Sequence, residues 1–118
     1  MKALVILIAV LATAALAQDR PMTDEERTKE SVAVFSGTVI SSNFDKEVKG
    51  NEWWKAVIRV SSVEESDGSV GTNTVTVFYI GKDTKVAPKQ KVKCWCIHWD
   101  YDGKRVLYIP WPSWVRKQ

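Results

Sequence analysis

Cysteine and histidine are nearly absent from this 118-residue chain, which has two of the first and one of the second. Two cysteines cannot build the multi-bridge framework that staples many small exported domains. A single histidine excludes the H-E-x-x-H zinc motif, and no G-x-S-x-G, P-loop or G-x-G-x-x-G string occurs. The chain has 14 acidic residues, yet no sequence signal singles out a pair for acid–base work. A non-catalytic protein is therefore expected. Proline is also scarce, with four in all, and Pro110 and Pro112 crowd the C-terminal end.

Long apolar runs are limited to one. Met1-Lys2 gives a positive start, Ala3 to Leu11 is apolar, and Ala15-Leu16-Ala17 is a small-x-small cleavage site. That is the secretory signal pattern, so residues 1–17 are expected to be removed and the chain exported, secreted or periplasmic. No membrane span is expected after cleavage, since the run ends at Ala17 and polar Gln18-Asp19-Arg20 follows. The formal charge of the whole chain is +3. An acidic leader over 18–30 precedes a mildly basic remainder, an ordinary balance for a folded surface. A solvated leader and a short helix both suit 18–30. The helix reading rests on Thr23 as cap, Glu26 closing a capping box, and acids in the first turn.

Tryptophan, by contrast, is abundant, at six residues. Such numbers serve either a core or a binding face. Alternating and β-branched runs over 31–42, 53–63, 72–80, 91–99 and 104–109 predict five strands. Gly37 interrupts the first, marking a bulge or barrel bend. Residues 43–52 and 64–71 read as polar loops, and 81–90 as a loop ending near Pro88. In the second strand Trp54, Ala56, Ile58 and Val60 share the core face. The tail 110–118 is barred from a sheet interior by its prolines, so Trp111 and Trp114 are expected to lie across the barrel. The sum is an all-β domain over 31–118, a small five-stranded barrel of Greek-key, OB-like type with a short N-terminal helix.

Strict alternation along 91–99 sorts its side chains. Lys91 and Lys93 belong outside, which sends Val92, Cys94, Cys96 and His98 inward. Trp95, Ile97 and Trp99 then form an outer apolar stripe, to be covered by the N-terminal helix and the Trp111/Trp114 tail or by a partner. The reverse facing, with tryptophans inside, requires a bulge near Cys94. Asp102-Gly103 closes this strand onto the next as a hairpin.

Cys94, Cys96 and His98 on one face form a three-ligand set suited to copper or zinc. Same-face neighbours stand about 6.6 Å apart along a strand, so the site requires converging side chains. A strained Cys94–Cys96 bridge is a second option, and two buried thiols beside a satisfied histidine a third. Separately, Trp53, Trp95, Trp99, Trp111 and Trp114 with Lys93 are candidate ligand-binding residues, aromatic platforms among cations. Export turns the expected ligand away from nucleic acid and toward a protein or carbohydrate.

The strings Val34-Phe35-Ser36-Gly37-Thr38-Val39, Ala56-Val57-Ile58-Arg59-Val60 and Val75-Thr76-Val77-Phe78-Tyr79, followed by a strand, Asp102-Gly103 and another strand, resemble the netrin-like family. That group includes the tissue inhibitors of metalloproteinases. The resemblance covers about residues 31–109 and implies an OB fold. It does not bring protease inhibition with it. Those inhibitors chelate the protease zinc through an N-terminal cysteine, and this chain has no cysteine before Cys94. The family's disulfides are missing as well.

Overall fold

Two tight turns shape the sheet. Lys49 and Gly50 have φ of 53° and 83°, Asp102 and Gly103 of 55° and 76°. Positive φ at both central residues is the two-residue hairpin turn whose twist matches that of its strands. The first turn joins β1 (Ala33–Val48) to β2 (Asn51–Ser66), and the second joins β4 (Lys91–Tyr101) to β5 (Lys104–Ile109). β3 (Thr74–Ile80) lies between these hairpins in sequence. The computed structural model describes residues 21–71, 73–81 and 84–118. The expected signal segment lies outside them.

The strands pair in the order β1–β2–β3–β5–β4, and β1 also pairs with β4, so the sheet closes into a five-stranded ring. β3 and β5 run parallel, and the other pairs of the ring are antiparallel. This is the all-β, OB-like barrel expected from the strand spacing. Closure removes most of the exposed edges that an open sheet of this size would carry. Among the described residues no helix is long and apolar enough to cross a membrane.

Gly37 is where β1 is shared between two neighbours, standing opposite Val60 of β2 and Val92 of β4. A Cβ at this position would meet the Arg59 carbonyl oxygen at 2.2 Å. The register also shifts between Ser36 and Gly37, as a bulge at a barrel bend requires. The core is filled from alternate positions: Phe35 on β1, Ala56 and Ile58 on β2, Val77 and Tyr79 on β3, Cys94 and Cys96 on β4, Leu107 and Ile109 on β5. Trp54 is half-buried and packs on the rim of this set, on the expected face.

Helix α1 (Asp24–Glu30) forms as its capping residues dictate. The Thr23 hydroxyl accepts from the Glu26 amide at 3.1 Å, and the Glu26 carboxylate accepts from the Thr23 amide at 2.9 Å. Two expectations need correction. Residues 43–52 are not a polar loop; except for the turn, they are strand, extending the β1–β2 hairpin well past its expected ends. β2 likewise runs to Ser66 rather than Val63. The tail also adds a short strand. After a 3₁₀ turn at Pro112–Trp114, β6 (Val115–Lys117) pairs with β4. Its prolines lie before the paired residues and so cost no ladder bond.

Candidate functional site

The outer wall carries a group of aromatic side chains contributed by four strands. Trp53 of β2, Phe78 of β3, Tyr108 of β5, and Trp99 and Tyr101 of β4 all alternate with core residues, so they share the opposite face. Ring centroids stand 4.6 Å apart for Trp53–Tyr101, 5.2 Å for Trp53–Tyr108, 5.0 Å for Phe78–Tyr101 and 5.4 Å for Trp99–Tyr108. Such tilted contacts favour ring edges against ring faces and hold the group as one rigid floor. Trp53 and Tyr101 are buried within it, while Trp99 remains 49% exposed.

The hairpin tips meet over this floor. The Tyr101 hydroxyl donates to Asp45 at 2.5 Å, and Lys46 pairs with Asp102 at 2.8 Å. The Lys46 ammonium also lies 5.2 Å from the Tyr101 ring centroid. Burial, then the Asp45 carboxylate, pushes the Tyr101 phenol well above the usual tyrosine range. Lys46 holds the Asp102 carboxyl below its usual value. Between the tips lies an open cavity of about 390 Å³, walled by Lys46, Asn51, Trp53, Trp99, Asp100 and Asp102 among others. Its cations and acids roughly balance, so it presents hydrogen-bonding groups around an aromatic surface with little net charge.

The other tryptophans in the expected ligand set have different fates. Trp95 does point to the outer side of β4, but it is fully buried and cannot act as a platform. Its indole N–H donates to the Thr28 hydroxyl at 3.2 Å, and the Arg27 and Arg116 guanidiniums lie 5.6 and 5.1 Å from its ring centroid. Helix and tail together thus cover Trp95, while Trp99 of the same stripe stays open. Trp114 is 1% exposed and belongs to the core, against which Trp111 is partly buried. Lys93 pairs with Glu64 at 3.1 Å and stands over Trp95. Only Trp53 and Trp99 of the six candidates join the floor.

Cys94 and Cys96 are free thiols in the core. Burial pushes Cys94 up to about 12 and Cys96 well above its ordinary value, with the neighbouring Cys94 adding to the second shift. Both are therefore held as thiols. His98 diverges from them. It is partly exposed and its Nε2 lies 2.6 Å from Asp67 in the β2–β3 loop. The Ser69 hydroxyl and amide also hold Asp67, and these contacts with His98 pull its carboxyl far below the carboxylate range. No group of three His, Cys, Asp or Glu side chains among the described residues comes together closely enough to hold a metal ion. Asp67 bridges Ser69 and His98, one oxygen accepting from the Ser69 hydroxyl and the other facing His98 Nε2.

Sequence reasoning passed over Tyr101, Tyr108, Phe78, Asp45 and Lys46. The first had a signal, since it continues the Trp95–Ile97–Trp99 alternation. Asp45 and Lys46 had none, because their run reads as a polar loop. Fold and floor together define a small OB-like barrel with an aromatic surface between two hairpin tips. The chain matches no protein-family model and no curated protein.

Proposed function

We propose that this protein is an exported, non-catalytic binding module that takes a neutral carbohydrate on the aromatic floor between the β1–β2 and β4–β5 turns. The carrying observation is the half-exposed Trp99 beside a cavity of about 390 Å³ walled by Asn51, Asp100 and Asp102. A sugar ring offers an apolar C–H face to an indole and hydroxyls to amides and carboxylates. OB barrels use the same strand face and the same two loops for oligosaccharides. Lys46 is paired with Asp102 and acids match cations in the cavity wall, which favours a neutral ligand over a nucleic-acid backbone, whose binding depends on neutralised phosphates. Export rests on the residues 1–17 pattern.

A netrin-like kinship belongs to the same proposal. The strings that carry the resemblance fall on β1, β2 and β3, and Asp102-Gly103 is the β4–β5 turn. Metalloproteinase inhibition does not follow, for want of an N-terminal cysteine.

The test is a panel of neutral oligosaccharides read by calorimetry and tryptophan fluorescence. Saturable binding that Trp99→Ala abolishes is the expected result. No response to any glycan, or a Trp99-dependent affinity for a protein without one for sugars, would overturn the reading.

A further inference from the structure

A second cavity, of about 490 Å³, opens where α1 meets the C-terminal tail. Its wall includes Arg27, Lys85, Arg116 and Lys117, with the side chains of Thr84 and Ser113 between them. Four cationic residues thus line one concavity, and among the described residues no acid lines it. Asp24 pairs with both arginines of the wall. One of its oxygens accepts from Arg27 at 3.0 Å and from Arg116 at 2.7 Å, and the other accepts from Arg116 at 2.9 Å.

The informative residue is Arg27. It is 8% exposed, and its Nε–H has no hydrogen-bond partner among the described residues. The Trp95 ring beneath its guanidinium offers attraction through the π face but no acceptor for an N–H in the guanidinium plane. A buried N–H on a charged group is costly to leave unmade, more so than a neutral one. An oxygen-rich anion in the cavity would lie against the same guanidinium, whose fork matches the oxygens of phosphate and sulfate. Thr84 and Ser113 line the same cavity.

We propose that this cavity binds a small tetrahedral oxyanion, phosphate or sulfate, either free or as a monoester. Arg27 and Arg116 hold it from the floor, and Lys85 and Lys117 close on it from the rim. The site shares no residue with the aromatic floor, so either can fail without the other.

The experiment is a nitrogen–proton correlation titration of the folded protein with sodium phosphate, sodium sulfate and phenyl phosphate. Ionic strength is held constant with sodium chloride. The expected result is a saturable shift of the Arg27 Nε–H resonance, accompanied by the Trp95 indole. The exposed double variant Lys85→Ala/Lys117→Ala should weaken binding at least tenfold while leaving the spectrum's dispersion intact. Equal affinity for inorganic phosphate and phenyl phosphate assigns a free anion, and preference for the ester assigns a phosphorylated molecule. Shifts that grow linearly without saturating, that chloride reproduces, or that avoid Arg27 would overturn the proposal.

Discussion

Tyr101 and Asp45, far apart in sequence and on different hairpins, share a hydrogen bond of 2.5 Å that ties the two tips together. The acceptor is a carboxylate and the donor ring is packed between Trp53 and Phe78, so water competes poorly for the contact. Tyr101→Phe should keep the packing and lose the bond, at about 1–3 kcal/mol for a hydrogen bond to a charged group. Urea unfolding checks the figure. Amide exchange should quicken at both turns rather than at one.

The same contact makes stability fall on the alkaline side. The folded-state pKa of Tyr101 lies above its unfolded value of about 10. Burial raises Tyr108 as well. Above about pH 10 the unfolded chain gives up these protons while the folded one keeps them, so it binds fewer protons and gains ground. The stabilisation is complete below that pH and fades as pH rises towards the folded values. Tyrosinate absorbance should therefore appear late in the native protein. Tyr101→Phe should flatten the alkaline loss in melting temperature.

Asp67 provides the matching test on the acid side. Its carboxyl is held down chiefly by the Ser69 hydroxyl and next by His98. A depressed folded-state pKa gives stability that is present above the unfolded value of about 3.9 and is lost as pH drops below it. Asp67→Asn should shrink that acid-side slope and free the loop from β4. Melting curves between pH 7 and pH 2 for the two proteins make the comparison.

Much of β4 was legible because period-two alternation is a strong local rule: Val92, Cys94 and Cys96 face the core and Trp95 faces out, as expected. Residues 43–52 were misread for a physical reason. A two-stranded ribbon extending past the barrel has little core to face, so its sequence is polar and resembles a loop. Its register also slips between Phe44 and Lys46, which breaks the alternation. Trp95 and Trp99 could not be told apart as sealed and open from their positions, since that depends on where Arg27 and Arg116 come to rest. The aromatic floor joins residues from β2, β3, β4 and β5, whose proximity follows only from the ring's closure.

Gly37 should tolerate no side chain. An added Cβ would lie 2.2 Å from the Arg59 carbonyl oxygen and 2.8 Å from Ile58 Cγ2. The backbone atom cannot turn aside as a side chain could, so β1 and β2 must part locally. Gly37→Ala should cost about 1–3 kcal/mol or more, the range for overpacking a tight interior. Denaturant midpoints measure it, and an unchanged midpoint would mean the strands separate freely at this bend.

Cys94 and Cys96 should behave as core side chains. In the native protein both should resist a thiol-specific reagent, and two equivalents should react once the chain is unfolded. Cys96→Ser places a hydroxyl in an apolar site at about 1–3 kcal/mol, the mutational range for a polar group buried without a partner. Fast labelling of the native protein would instead argue for an accessible pair and revive thiol chemistry at this strand.

Trp95 and Trp99 stand on the same side of β4, two residues apart, and separate stability from binding. Trp95 is fully buried under α1 and the tail, so Trp95→Ala should cost about 3–5 kcal/mol, as other large aromatic truncations in cores do. Trp99 is 49% exposed with one face on Tyr108, so Trp99→Ala should shift the midpoint by less than about 1 kcal/mol. Calorimetric melting and glycan titration on the same two samples give the crossed result expected: Trp95→Ala destabilised, Trp99→Ala stable but unable to bind. If Trp99→Ala proved as unstable as Trp95→Ala, the floor would be a second core rather than a platform. Its loss of binding would then carry no information about the ligand.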